Sequence, residues 1–431
     1  MIKSRATSHE PRATSHEPRA TSHEPRATSH EPRATSHEPR ATSHEPRATS
    51  HEPRATQHAG LDLLRALLIL EGVFFHTSEI VAPTPASFFS NPHYNSYSIA
   101  LTFRFFHLFR MELFFLISGF FSALIMERKG TEYFLENRRR RLFEPLLWGI
   151  LLVNVPLYFF VKTVDPNAPA SAYLVLHLWF LQSLLVISIV YVFYMPFFRR
   201  LERWSAGQLI VLALVLGIGS KAVSALGKIP DLAFLSGLAA SVMHHIIFFA
   251  VGHLLYAKKI GLPRNSKKWL LLTTLVCTPL LLAYQYLVYK YQGVLGDLPF
   301  VYKAARHTSE QIVFLANAIC ISLLLFDTAK SMNDSRIEKL GGSVDFVIRS
   351  ALVTYILHYP IIGLANHMLY DQQWESWQYF LIIATAGLVV PIMIYTAFKR
   401  FRLFRHMFGI KDSPESGTSA RDADLSLPCA R

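Results

Sequence analysis

Cysteine is nearly absent from this chain: three occur in 431 residues, Cys277 and Cys320 inside apolar blocks and Cys429 in the C-terminal tail. An odd number without metal or framework spacing argues against a disulfide-stapled secreted protein. Charge is scarce as well. Asp, Glu, Lys and Arg make up 17% of the chain, against about 25% in an ordinary soluble domain, while 51% is hydrophobic and gathered in long blocks. A soluble globular enzyme is thereby disfavoured. There is also no Walker-type glycine loop, no dinucleotide fingerprint, no zinc spacing and no Gly-x-Ser-x-Gly elbow, so any energy must come from an activated donor or a gradient. The net charge of +13 does not point to nucleic acid, because the excess falls in short loops between apolar blocks.

What is present begins with a repeat. Seven copies of Arg-Ala-Thr-Ser-His-Glu-Pro fill most of the first 53 residues. Each copy holds a proline and no leucine-class residue, so no coiled-coil seam forms, and residues 1–57 are expected to be a disordered segment. The seven-residue period has a simple origin. The heptanucleotide CGAGCCA read in tandem gives CGA, GCC, ACG, AGC, CAC, GAG and CCA, which encode the repeat in full. A slippage-prone DNA repeat of this kind would shift the downstream frame on gain or loss of one unit, switching expression on and off. The same reading gives the segment no catalytic role.

Ten apolar segments long enough to span a bilayer follow, at about 61–82, 99–126, 142–162, 173–198, 207–226, 234–256, 268–290, 309–328, 349–370 and 378–398. The expected fold is therefore all-α: a polytopic membrane domain over 58–400 with about ten transmembrane helices, preceded by the repeat and followed by a tail at 401–431. Loop charge sets the orientation. Arg128, Lys129 and Arg138 to Arg141, then Arg199, Arg200 and Arg203, then Lys258, Lys259, Arg264, Lys267 and Lys268, then Lys330, Arg336 and Lys339 fall on one side. Loops 83–98, 163–172 and 371–377 contain no Lys or Arg. Both termini are expected on the cytoplasmic side, with no cleavable signal peptide before the first helix.

Ionisable residues inside these segments need a partner or a purpose. Arg65 and His76 are eleven residues apart, about three turns plus 20°, so they share a face of the first helix roughly 16 Å apart. Glu71 lies off that face and needs another partner. A neutral imidazole can serve as a general base near pH 7, although a hydrogen-bonded interior histidine is the plain alternative for His76. Arg104, His107 and Arg110 cover about a third of the second helix and can line one polar cavity, followed by Glu112. They form either an anion-lined substrate path or an intramembrane pairing with Glu112 or Glu71. The run Arg138 to Arg141 is by itself a topology determinant, yet Arg138 and Arg141 share a side of a helix and suit phosphate. His177-Leu178-Trp179-Phe180-Leu181 opens the fourth segment, and Tyr355 and His358 share a face of the ninth.

Arg65 and His76, Phe114-Phe115-Leu116-Ile117-Ser118-Gly119-Phe120, and Arg138-x-x-Arg141 before Pro145 together resemble the membrane acyltransferase 3 family. His177-Leu178-Trp179-Phe180-Leu181 and Tyr355-Ile356-Leu357-His358 look like its later motifs and lean toward the branch with glucan succinyltransferases. The resemblance covers about 58–400. One departure is Gln182, where many O-acetyltransferases of the family carry a Trp-Ser-Leu-x-x-Glu type sequence. The resemblance implies transfer of an acyl group, acetyl or succinyl, from cytoplasmic acetyl-CoA or succinyl-CoA to a hydroxyl of a surface or periplasmic glycan. It implies His76 as base, Arg65 in support, and Arg138 and Arg141 on the acyl-CoA side. Arg110, with Glu112 beside it, completes the candidate catalytic set; Arg104, His177, Trp179, Tyr355 and His358 are candidates for substrate binding. No metal is expected. The setting is a bacterial inner membrane, with a glycan acceptor and membrane lipid as partners, no nucleic acid, and a homo-oligomer left open. A polytopic transporter using the same buried charges is the competing class; it would predict inverted-repeat halves with paired helix breaks.

Overall fold

The computed structural model describes residues 58–83, 89–164, 166, 175–229, 232–259, 262–332 and 341–410, so the expected disordered repeat lies outside the described residues. Among the described residues every regular element is helical. The long helices are α1 (Ala59–Ile80), α2 (Tyr97–His107), α3 (Arg110–Arg138), α5 (Val155–Val164, after the short α4 at Glu144–Gly149), α6 (Trp179–Phe193), α8 (Ala206–Ala225, after α7 at Met195–Leu201), α9 (Ala233–Ala257), α10 (Arg264–Lys290), α12 (Phe300–Lys330, after α11 at Gln292–Gly296), α13 (Gly341–Met368) and α14 (Ser376–Phe398); α15 (Arg402–Met407) follows. Local sequence explains several ends. Ser205 and Gln208 form a capping box at α8, and Glu375 and Gln378 form one at α14. Pro279, Pro360 and Pro391 sit inside α10, α13 and α14, which neighbouring helices tolerate in a bilayer better than water does.

Among the described residues, eight helical stretches are long and apolar enough to cross a membrane. They differ from the ten expected segments in two places. The stretch Tyr97–Thr163 is 67 residues long, about 100 Å of helix, several times what a bilayer core needs, and it takes in the segments expected at 99–126 and 142–162. Helix α1 has the length but carries Asp62, Arg65, Glu71 and Glu79 within 22 residues. Large apolar side chains such as Phe159, Phe193, Leu235 and Trp269 stand exposed around the bundle, as a lipid-facing surface requires. The chain is an integral membrane protein.

The segment expected as one helix at 99–126 is broken. Phe109, at φ −150° and ψ −11°, separates α2 from α3, and α3 bends again at Gly130, whose φ of 76° is a conformation that glycine adopts without a Cβ penalty. Beyond α3 the backbone widens into two π turns, Arg139–Phe143 and Ile150–Asn154, with α4 between them. Such turns change which side chains share a face. Helix α1 packs against α13, α2, α14, α3 and α12, so its polar residues face protein rather than lipid. Helices α3 and α9 lie backbone to backbone. A Cβ on Gly119 would strike the Phe249 backbone of α9, and one on Gly252 would strike the Leu116 backbone of α3.

Candidate active site

His76 occupies the last turn but one of α1, where its Nδ1 lies 3.0 Å from Oε2 of Glu79, one turn along the same helix. A carboxylate accepts, so Nδ1 carries a proton, and in the neutral ring Nε2 presents a lone pair. The His76 side chain is 18% exposed, sheltered yet reachable. Its ring is 5.4 Å from that of His358 and 5.1 Å from that of Tyr359, both on α13. His177, on the 3-10 turn Leu176–Leu178, joins the same group: its ring stacks on Tyr359 at 5.1 Å and 11°, and its carbonyl accepts the Tyr355 hydroxyl at 2.5 Å. The structure thus brings His76, His177, Tyr355 and His358 together.

A second polar layer adjoins the first. Arg110 Nε lies 3.2 Å from Glu71 Oε2, close enough for an ion pair although the N–H is not aligned as a hydrogen bond. This is the partner that Glu71 required. The Arg110 guanidinium sits over Phe75 at 5.2 Å and is an electrostatic neighbour of Tyr355 and His358. It reaches α1 where Gly72 leaves room, since a Cβ there would meet its Nη1. His107 stacks on Phe75 at 4.0 Å and 9°. Arg104, Glu79, Phe75, Ser78, Gln285 and Tyr289 line a cavity of about 220 Å³ between α1, α2 and α10. Glu79 thereby touches both His76 and the cavity.

At the Arg-rich end of α1, Arg65 is 3.5 Å from Asp62 and lies over Phe114 at 5.2 Å and Phe121 at 5.5 Å. Arg138 is buried, donates to Ser122 Oγ at 2.6 Å and covers Phe134. Arg65, Arg138 and the half-buried Arg141 are mutual electrostatic neighbours, and the Nε atoms of Arg65 and Arg138 are buried without a hydrogen-bond partner. Three clustered cations, two of them with spare donors, could hold an anion. The exposed Arg139 and Arg140 instead pair with Glu136, and Arg139 also meets Glu144.

Glu112 and Trp179 stand with a different group. Glu112 Oε1 lies 3.1 Å from His244 Nε2 on α9, and Gln311 Nε2 of α12 is 3.2 Å from the other ring nitrogen of His244. Trp179 packs on His245 at 5.4 Å. Ligand atoms of Glu112, His244 and His245 lie within 4.8 Å of one another, near enough to share a cation, but His244 is already bonded at both ring nitrogens. Among the residues that sequence reasoning missed, Glu79 was the accessible one, because a residue three positions from His76 must share its helix face. His244 carried no such signal, being 132 residues from Glu112.

A family model described as an acyltransferase domain matches residues 58–396. Glucans biosynthesis protein C of Salmonella typhi and that of Salmonella typhimurium are each 31% identical over 201 residues, 44% of this chain and 49% of the relative. The protein of that name from Salmonella paratyphi B is 30% identical over the same length. The chain spans about half the length of the curated relatives it matches. No solved structure matches it. With most of the chain inside one family model, and the motifs around His76, Ser118 and Arg138 within those limits, the chain belongs to the membrane acyltransferase 3 family.

Proposed function

We propose that the protein is an O-acyltransferase of a bacterial inner membrane. It moves an acetyl or succinyl group from cytoplasmic acyl-CoA to a hydroxyl of a surface or periplasmic glycan. The observation that carries this reading is the His76–Glu79 pair, a half-buried carboxylate holding an imidazole whose Nε2, in the neutral ring, is free for a proton. The Arg-rich loops mark the cytoplasmic side, which puts both termini there and aligns the Arg65, Arg138 and Arg141 site with the CoA phosphates. His76 Nε2 takes the hydroxyl proton as the acceptor oxygen bonds to the thioester carbonyl carbon. Arg110 stabilises the oxyanion that forms. The C–S bond then breaks and the imidazolium returns its proton to the leaving thiolate. No metal takes part. The name of the Salmonella relatives favours a glucan acceptor, whereas the slippage-prone repeat favours an exposed glycan such as lipopolysaccharide O-antigen or capsule.

Mass spectrometry of glycans from matched cells carrying the intact gene, His76→Ala, Glu79→Gln or no gene tests this. An acyl increment is expected only with the intact gene, with Glu79→Gln reduced by about 10²- to 10⁴-fold, the range that a positioned base commands. Wild-type product from a well-expressed His76→Ala protein would remove His76 from the mechanism.

A further inference from the structure

Three imidazoles, each from a different element, meet around His358 in the bundle: His76 on α1, His177 on the 3-10 turn and His358 on α13. Ring centroids of His76 and His358 are 5.4 Å apart, and those of His177 and His358 are 5.6 Å apart. Each ring has given one nitrogen to a group that can only accept. His177 Nε2 is 3.0 Å from the Ile356 carbonyl, His358 Nδ1 is 2.7 Å from the Tyr355 carbonyl, and His76 Nδ1 is 3.0 Å from the Glu79 carboxylate. Those nitrogens must carry protons, and in the neutral imidazole, the form that can serve as a base or acceptor, there is only one. His177 Nδ1, His358 Nε2 and His76 Nε2 are therefore all lone pairs.

Two of these lone pairs are buried with no partner in the protein, His177 Nδ1 and His358 Nε2. The residues are 4% and 1% exposed. Buried polar atoms without partners are uncommon in folded proteins and call for a reason. The backbone is also held against its preference here. Leu176, next to His177, has a φ of 37°, a strained conformation for a side chain of its size, and the Tyr355 hydroxyl clamps the His177 carbonyl. His177 is thus fixed with its free nitrogen buried. A lone pair can be met only by a hydrogen-bond donor. The neighbouring Arg110 guanidinium disfavours an ammonium, so the donor is a neutral group, and a hydroxyl is the donor that a glycan acceptor supplies.

We infer that His177 and His358 are positioning residues for the acceptor, receiving hydrogen bonds from hydroxyls next to the one that is acylated. This rests on the acyl transfer proposed above and narrows its acceptor to a polyol, a sugar ring with adjacent free hydroxyls. One hydroxyl gives its proton to His76 Nε2. Its neighbours donate to His358 Nε2 and His177 Nδ1, which fixes which oxygen of the ring is presented.

Amide substitutions separate this role from a structural one, because asparagine reaches only the δ position and glutamine reaches the ε position. His358→Gln and His177→Asn keep the inward acceptor and lose the anchor to the carbonyl. His358→Asn and His177→Gln keep the anchor and lose the acceptor. The four variants are compared in membrane vesicles given labelled acetyl-CoA or succinyl-CoA, with glycan extracted from the producing cells as acceptor. Folded protein is quantified by size-exclusion chromatography in detergent. The expected result is a ranking within each pair: His358→Asn raises the acceptor KM at least tenfold more than His358→Gln does, and His177→Gln at least tenfold more than His177→Asn, with the donor KM unchanged in all four. The opposite ranking would show the histidines to be structural and overturn the inference, as would four variants that behave alike. Absence of product from the wild-type protein would instead overturn the proposed transferase activity itself.

Discussion

A single missing Cβ decides where the Arg110 guanidinium lies. Gly72 leaves the space on α1 that Nη1 of Arg110 occupies, and the atom a new Cβ would meet is the far end of a long side chain rather than backbone. Gly72→Ala is therefore expected to fold, since the arginine can swing aside, and alanine is the better helix former. The guanidinium would no longer sit between Glu71 and the histidines. The expected outcome is a protein that accumulates and melts as wild type does but turns over about 10- to 10³-fold more slowly, the loss typical of removing one oxyanion donor. Parallel thermal unfolding in detergent and acyl-transfer assays check this; unchanged turnover would mean that Arg110 serves only to neutralise Glu71. At this scale much was legible. The eleven-residue separation of Arg65 and His76 sets them along one helix face, and Glu71 was visibly in need of a partner. The Glu79 contact follows from the same periodicity. What no periodicity contains is the meeting of His177 with His358, which is made across 179 residues between His177 and Ile356 and depends on a strained turn at Leu176.

At the scale of elements, the packing of α3 on α9 sets how close the two helices stand, and small residues permit it. Gly252 of α9 has the Leu116 carbonyl where its Cβ would be, and a carbonyl in a helix cannot rotate away. Gly237 of the same helix has open space around that position. Gly252→Ala is expected to destabilise by about 1–3 kcal/mol as the helices are pushed apart, whereas Gly237→Ala is neutral or slightly stabilising through helix propensity. Midpoints of thermal unfolding for the pair decide it, and equal midpoints would mean that the α3–α9 spacing is soft. That the chain is helical and built of membrane-length apolar segments could be read from apolar run length, because a bilayer demands about 20 apolar residues whatever their order, although ten segments were expected and eight stretches qualify among the described residues. The breaks could not. Nothing in Phe106-His107-Leu108-Phe109-Arg110 announces that the helix stops at Phe109, and the π turn at Arg139–Phe143 is equally silent in sequence. Yet it is around that turn that the four consecutive arginines divide into inward Arg138 and Arg141 and outward Arg139 and Arg140.

Across the whole molecule, the polar layer around His76 and the arginines around Arg138 lie toward opposite ends of α1, about 16 Å apart along the axis. The proposed chemistry needs those ends to face opposite compartments in one sense only, with the arginines toward the donor. Lys and Arg in the loops argue for that sense, since loops 83–98 and 371–377 contain none. The orientation can be read directly. In a background with Cys277, Cys320 and Cys429 replaced by serine, single cysteines are placed by Asn95→Cys and Gln373→Cys, exposed between helices, and by Ser266→Cys, exposed in the first turn of α10. A membrane-impermeant thiol reagent is expected to label positions 95 and 373 in intact spheroplasts and position 266 only after lysis. The inverted pattern would expose the arginine site to the compartment that lacks acyl-CoA, and cytoplasmic thioester could then no longer be the donor. The His76 layer would survive that outcome as a proton-accepting site, but its acceptor would have to be an intracellular molecule.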